Sequence, residues 1–191
     1  MLYGRLLTLS GLIVGMAACA SAPDPMLYTL SPIGASERSG LGDGTLIGLS
    51  EITLPSYARN QQITTAISPN RLTENDDHRW ASPPSEAISE YLSIVLESET
   101  NSDVLVRPYP SGVRPELRLT ISFSRLLRRN EGGAELAGQY IITGLGDDVQ
   151  VSRFDIGIPS KTTDYFGYME ALSEGLDRLG GVIADRIDLK S

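Results

Sequence analysis

Across 191 residues there is one cysteine, one histidine and one tryptophan. A single cysteine excludes an intrachain disulfide. One histidine and one cysteine also leave no N/S cluster for a structural zinc site. No H-E-x-x-H, no G-x-S-x-G elbow and no G-x-x-x-x-G-K-[ST] loop occurs, so the usual signatures of a metalloprotease, a serine hydrolase and a P-loop ATPase are missing. Basic charge is in short supply: 16 Lys and Arg stand against 24 Asp and Glu, a formal net charge of −8. Nucleic-acid binders, and proteins that adhere electrostatically to anionic lipid, want the opposite balance. Long apolar runs are lacking too. The longest, Leu6–Met16, has eleven residues, where a membrane-spanning helix needs ~20.

That short run lies in a telling place. Arg5 precedes it, and Ala17, Ala18 and then Cys19 follow it. A positive residue, an apolar stretch and small residues form a secretory signal peptide. A cysteine directly after the small pair makes the end a lipobox, with Met16 where leucine is more usual. The expectation is cleavage after residue 18 and a covalent lipid on Cys19, the one residue whose chemistry stands out. Loss of Arg5 takes the formal charge from −8 to −9. No other cofactor is expected.

The mature chain reads as a tether over 19–26 and one domain over 27–191. Leu27–Leu30 reads as a first strand and 31–45 as a Gly/Ser-rich loop. Leu46–Leu54, Gln62–Ala66 and Asp103–Arg107 are β-rich, whereas 74–79, ENDDHR, reads as a polar loop. Leu117, Leu119, Ile121 and Phe123 alternate with polar residues, the pattern of a half-buried strand. The phase slips at Arg125, which predicts a bulge. Gly132-Gly133 predicts a hairpin, with a return strand over 135–143 that sets Leu136, Gly138, Tyr140 and Ile142 on one face. A third strand follows, with a second slip expected near Ser152-Arg153.

Two helices are expected. One starts near Ser82, with Pro83 and Pro84 in its first turn and Ile88, Tyr91, Leu92, Val95 and Leu96 on one stripe. The other runs from Thr163 or Asp164 to Leu189, with Phe166, Met169, Leu172, Leu176, Leu179, Ile183 and Ile187 spaced by three and four. Gly180-Gly181 inside it predicts either close helix–sheet approach or a kink. Together these elements predict an α+β fold: a two-layer sandwich, a largely antiparallel sheet with two main helices on one face.

Candidate sites are few. His78, beside Asp76 and Asp77, is the only histidine available to a catalytic triad, and its polar surroundings favour a solvated loop residue. Asp76-Asp77 and Asp147-Asp148 read as solvated turns rather than cation sites. Arg125, Arg128 and Arg129 would face either an acidic partner or lipid phosphates, or else form a solvated sheet edge. Trp80 reads as a residue fixing the entry to the first helix, with a partner-interface anchor as the alternative.

Several pieces fall in a familiar order: Tyr28-Thr29-Leu30, then Leu54-Pro55-Ser56-Tyr57 with Arg59 and Gln62-Ile63, then Arg71-Leu72, then Arg79-Trp80-Ala81 with Pro83 and the helix Ile88–Leu96. In this order they resemble the ABC-type transport auxiliary lipoproteins, the PqiC-like family. Ala58 and Ser82 depart from its usual pattern. The resemblance implies a non-catalytic, periplasm-facing lipoprotein that serves an MCE-domain protein with its membrane permease and ATPase. Such systems move phospholipids or other hydrophobic molecules between the two membranes of Gram-negative bacteria. It implies a lipid-anchored domain at the outer membrane, an assignment favoured by Ala20 after the cysteine, and a ring of copies as one mode of assembly. Trp80, Arg79 and Tyr57 are then the expected partner-contacting residues.

Overall fold

The computed structural model describes residues 24–31, 45–144 and 148–188. Cys19, most of the 31–45 loop, Asp147 and Leu189 lie outside the described residues.

The alternating segment at Leu117 builds the central strand β6 (Leu117–Arg129). Its apolar positions 119, 121 and 123 turn toward the core, and the expected bulge falls between Phe123 and Arg125. One extra residue reverses the parity of everything after it, so Leu126 and Arg128 point inward, where Arg125 and Arg129 do not. The chain turns at Gly132-Gly133, both at positive φ. A Cβ on Gly133 would lie 2.1 Å from the Ile158 carbonyl oxygen, so the turn needs glycine for space as well as conformation.

β7 (Ala134–Thr143) and β8 (Val149–Ile158) complete an antiparallel meander. The β7–β8 register runs unbroken from Ala134↔Ile158 to Thr143↔Val149. The second bulge expected at Ser152-Arg153 is therefore absent. The apparent slip arises because Val149 and Val151 point to solvent, 54% and 60% exposed, while Phe154 and Ile158 point inward. Phe123 and Phe154 meet edge to face across β7, with ring centroids 5.3 Å apart. They meet over Gly138, the β7 residue paired with both, where a Cβ would crowd the Phe154 ring.

The other flank of β6 is assembled from pieces. β2 (Ile47–Leu49) runs parallel to its start and β3 (Gln62–Ser68) parallel to its end. Between them are an isolated bridge at Thr53↔Ser122 and a 3-10 turn at Ser56–Ala58. Outside β2 lies β5 (Val104–Val106), parallel; outside β3 lies β4 (Arg71–Trp80), antiparallel; outside β4 lies β1 (Met26–Tyr28), parallel. Among the described residues strand pairing thus begins at Met26, the last residue of the segment expected to be tether. The three long pairings are antiparallel and the four short ones parallel, giving an eight-stranded mixed sheet among the described residues.

Helices α1 (Pro84–Thr100) and α2 (Tyr165–Asp188) cover one face, as expected of an α+β sandwich. Pro83 and Pro84 open α1, where an N–H would have no helical partner, and Asn101 ends it in the left-handed region. Ile88, Leu92 and Leu96 of α1 pack with Leu172, Leu176, Leu179 and Ile183 of α2, all fully buried. Phe166, expected on that stripe, is 66% exposed instead; Tyr168 takes the inward place. No kink breaks α2. A Cβ on Gly180 would meet Val95 Cγ1 of α1 at 2.4 Å, so that glycine serves helix–helix contact. Gly175, against Leu136 of β7, serves the helix–sheet contact.

Candidate docking surfaces

The run 74–79 is not a loop. It forms most of β4, and a register shift opposite Gln62/Ile63 lets the strand keep pairing while Asp76 and Asp77 remain exposed. Polar composition hid the strand because almost nothing covers β4 before Arg79. His78 is consequently placed by strand geometry. It lies opposite Met26 of β1, its Nδ1 is 2.8 Å from the Tyr28 hydroxyl, and its ring stacks on Tyr165 of α2 at 3.8 Å and 8°.

Tyr165 is sandwiched, since the Arg128 guanidinium lies over the same ring, 4.5 Å from its centroid. Arg128 also donates through Nη1 to Thr65 Oγ1 at 3.2 Å and through Nη2 to the Thr163 carbonyl, while its buried Nε has no partner. The reading of Arg125, Arg128 and Arg129 as one surface cluster is thus corrected. The bulge divides them. Arg125 pairs with Glu135 and Asp155, at 3.3 and 3.0 Å, and Arg129 with Glu131 and Glu135, while Arg128 is inside.

Next to this cluster Asp164 accepts hydrogen bonds from the Gly167 N–H and the Thr162 hydroxyl, both at 2.8 Å, capping α2. Those bonds, the Gly167 N–H above all, hold its carboxyl below the usual carboxylate range. Burial raises the Tyr28 phenol and pushes the fully buried Tyr168 higher still. The bulge and the arginine's inward turn are legible together only if parity is followed past Ser124; that signal was available.

Trp80 is 3% exposed and joins the core at the end of β4, its backbone N–H donating to the Gln61 carbonyl at 2.7 Å. It fixes the passage into α1, and its ring is not at the surface. Arg79 and Tyr57 remain part-exposed with separate partners. Arg79 donates to the Asp76 carbonyl at 2.9 Å and pairs with the Asp76 carboxylate at 3.5 Å. The Tyr57 hydroxyl reaches the Ser124 carbonyl at 3.5 Å, and burial raises its pKa.

A concavity of about 890 Å³ opens between α1 and the segment following β5. Exposed Glu51, Glu86 and Glu90 rim it with Arg107, over a wall of Val106, Pro108 and Tyr109. Among the described strands β5 pairs with β2 alone, and on its other side the Val104 N–H donates to the Glu97 carboxylate of α1 at 3.2 Å. Among the described residues no three His, Cys, Asp or Glu side chains gather as a metal site, and no helix is long and apolar enough to cross a membrane.

The domain is thus an α+β sandwich with a cleft beside α1 and a histidine held by a stacked tyrosine and a hydrogen bond. Comparison with known proteins narrows the class: the chain belongs to the family of ABC-type transport auxiliary lipoprotein components, whose sequence profile matches residues 28–184. No curated protein matches its sequence. The fold is similar to the crystal structure of an uncharacterized protein (TM-score 0.72, 18% identity, covering 86% of this chain and 99% of that one). It is also similar to protein XCC0632 from Xanthomonas campestris, of family DUF330 (TM-score 0.60, 13% identity, covering 88% and 99%).

Proposed function

We propose that this protein is the non-catalytic outer-membrane subunit of an ABC-type system containing an MCE-domain protein, which moves phospholipids or other hydrophobic molecules between the inner and outer membranes. A lipid on Cys19 holds the domain at the periplasmic face, and the domain docks the MCE assembly, as a ring of copies. The observation that carries this reading is the family match, which spans the domain from β1 well into α2. The geometry supports it: the cleft beside α1 offers a partner charged side chains around an apolar wall. Arg79 and Tyr57 belong to the proposed contact surface, whereas Trp80 contributes by fixing β4 from within.

The test is capture of the tagged, lipidated chain from envelope membranes. An MCE-domain protein with its permease and ATPase is expected in the eluate. The Cys19→Ser variant should lose palmitate labelling, outer-membrane fractionation and that capture together. Recovery with peptidoglycan or envelope-assembly machinery instead would replace this reading with that of a different structural lipoprotein.

A further inference from the structure

Three large apolar side chains stand in solvent at one margin of the domain: Met26 and Leu27 of β1, and Phe166 in the first turn of α2, at 63, 62 and 66% exposure. Scattered exposed apolar residues need no explanation, but a group at one place does. Met26 and Phe166 are held together by the cluster already described, whereas Leu27, opposite Arg79, faces the other side of the same edge strand. Met26 pairs with His78 in the β1–β4 ladder, His78 stacks on Tyr165, and Phe166 is the next residue. Tyr28 lies between them, its hydroxyl 3.8 Å from Met26 Sδ and its ring 6.0 Å from that of Tyr165. Two part-exposed tyrosines among exposed Met, Leu and Phe form the composition that settles at a membrane–water boundary, apolar bodies inward and hydroxyls at headgroup level.

Chain length says what this margin faces. Seven peptide steps separate Cys19 from Met26, which at full extension reach about 25 Å. The β1 margin is therefore the part of the domain that a lipid on Cys19 keeps nearest the bilayer. The remaining large exposed apolar residues, such as Val149 and Val151 of β8 and Val182 late in α2, have no such leash.

We infer that this margin is a bilayer-contact surface. Met26 and Phe166 enter the headgroup–acyl boundary, braced by Tyr28 and Tyr165, and Leu27 meets it from the other side of the edge strand. The inference rests on the Cys19 anchor. With it, the domain has a fixed orientation on the membrane: β1 and the start of α2 face the lipid, and the far end of α2 points away. Weak adhesion suffices, because the lipid supplies the main affinity and the side chains only orient.

The experiment uses the full lipidated chain in vesicles of phosphatidylethanolamine and phosphatidylglycerol. A lipidated Cys19 leaves no free thiol, so Met26→Cys, Phe166→Cys and, as the control, Val182→Cys each take one environment-sensitive fluorophore. Brominated lipid should quench the dye at 26 and 166 about threefold or more over 182, as expected for groups seated 5–10 Å into the interface. Equal quenching at 166 and 182 on vesicle-bound protein overturns the inference. A blue shift at 166 without lipid quenching also overturns it, and assigns the margin to a second copy of the chain. Labelling of the wild-type chain at Cys19 marks failure of the anchor reading instead. Quenching at 166 that then persists upholds the surface on its own, and quenching that falls to the level at 182 removes it.

Discussion

Along one flank of β6 lies β7, paired with it over nearly the whole strand and followed by β8 in unbroken register. Along the other lie β2, a single bridge at Thr53 and the end of β3, paired two or three residues at a time. The difference is one of connection. Antiparallel neighbours follow each other through tight turns, so their register is fixed locally. Parallel neighbours must be brought in by crossovers, and here they arrive as short pieces with their own edges. The continuous flank is a scaffold under α2. The fragmented flank brings β5 to the cleft and sets β1 at the outer margin, so the proposed partner surface belongs to it and the proposed membrane surface joins it to the start of α2.

The largest effect should come from breaking the continuous flank. Leu136 of β7 is fully buried and packs in the core beneath Gly175 of α2. Leu136→Ala should cost about 2–5 kcal/mol, read as a fall in the urea midpoint with an unchanged m-value. A loss below about 1 kcal/mol would mean that the meander is not the rigid half.

The two flanks were unequally legible in the sequence. Alternation from Leu117, the slip at Arg125 and the glycine pair at 132-133 announced the meander, because period-2 patterning and turn chemistry are local. The fragmented flank offered no such pattern. Ile47–Leu49 is buried throughout and shows no alternation, and β4 is too polar to read as a strand since its outer length covers nothing. The candidate site divided the same way. Cys19 is expected from motif alone and lies outside the described residues, while the buried place of Trp80 follows from its position before Pro83-Pro84. His78 and Arg128 do not, because their partners, Tyr28, Tyr165 and Thr65, are assembled by β1–β4 pairing and by the parity change at the bulge.

Arg128 joins the flanks, with Thr65 of β3 on one side and Thr163 and Tyr165 at the start of α2 on the other. Arg125, three positions earlier on the same strand, is 38% exposed in its side chain and pairs only with surface carboxylates. Arg128→Ala should cost about 1.5–3 kcal/mol, the range for hydrogen bonds from a charged donor. Arg125→Ala should cost under about 1 kcal/mol, and less as salt is raised. Similar losses at both positions would mean that Arg128 does not tie the flanks together.

The smallest effects test the helix layer that spans both flanks, and there the sign matters more than the size. Gly180 and Gly181 are adjacent in α2, yet a Cβ on Gly180 would press on Val95 Cγ1 at 2.4 Å, whereas one on Gly181 would meet nothing within 4 Å. Gly181→Ala should therefore stabilise by about 1 kcal/mol through helix propensity alone. Gly180→Ala gains the same propensity but must displace a β-branched side chain with a stiff χ1, and the overpacking cost of about 1–3 kcal/mol should turn the net effect negative. Opposite shifts in Tm for the two variants would show that α1 and α2 touch at Gly180 as one rigid layer over a divided sheet. A gain at both positions would show that the helices can part there, leaving the fragmented flank free to move with α1.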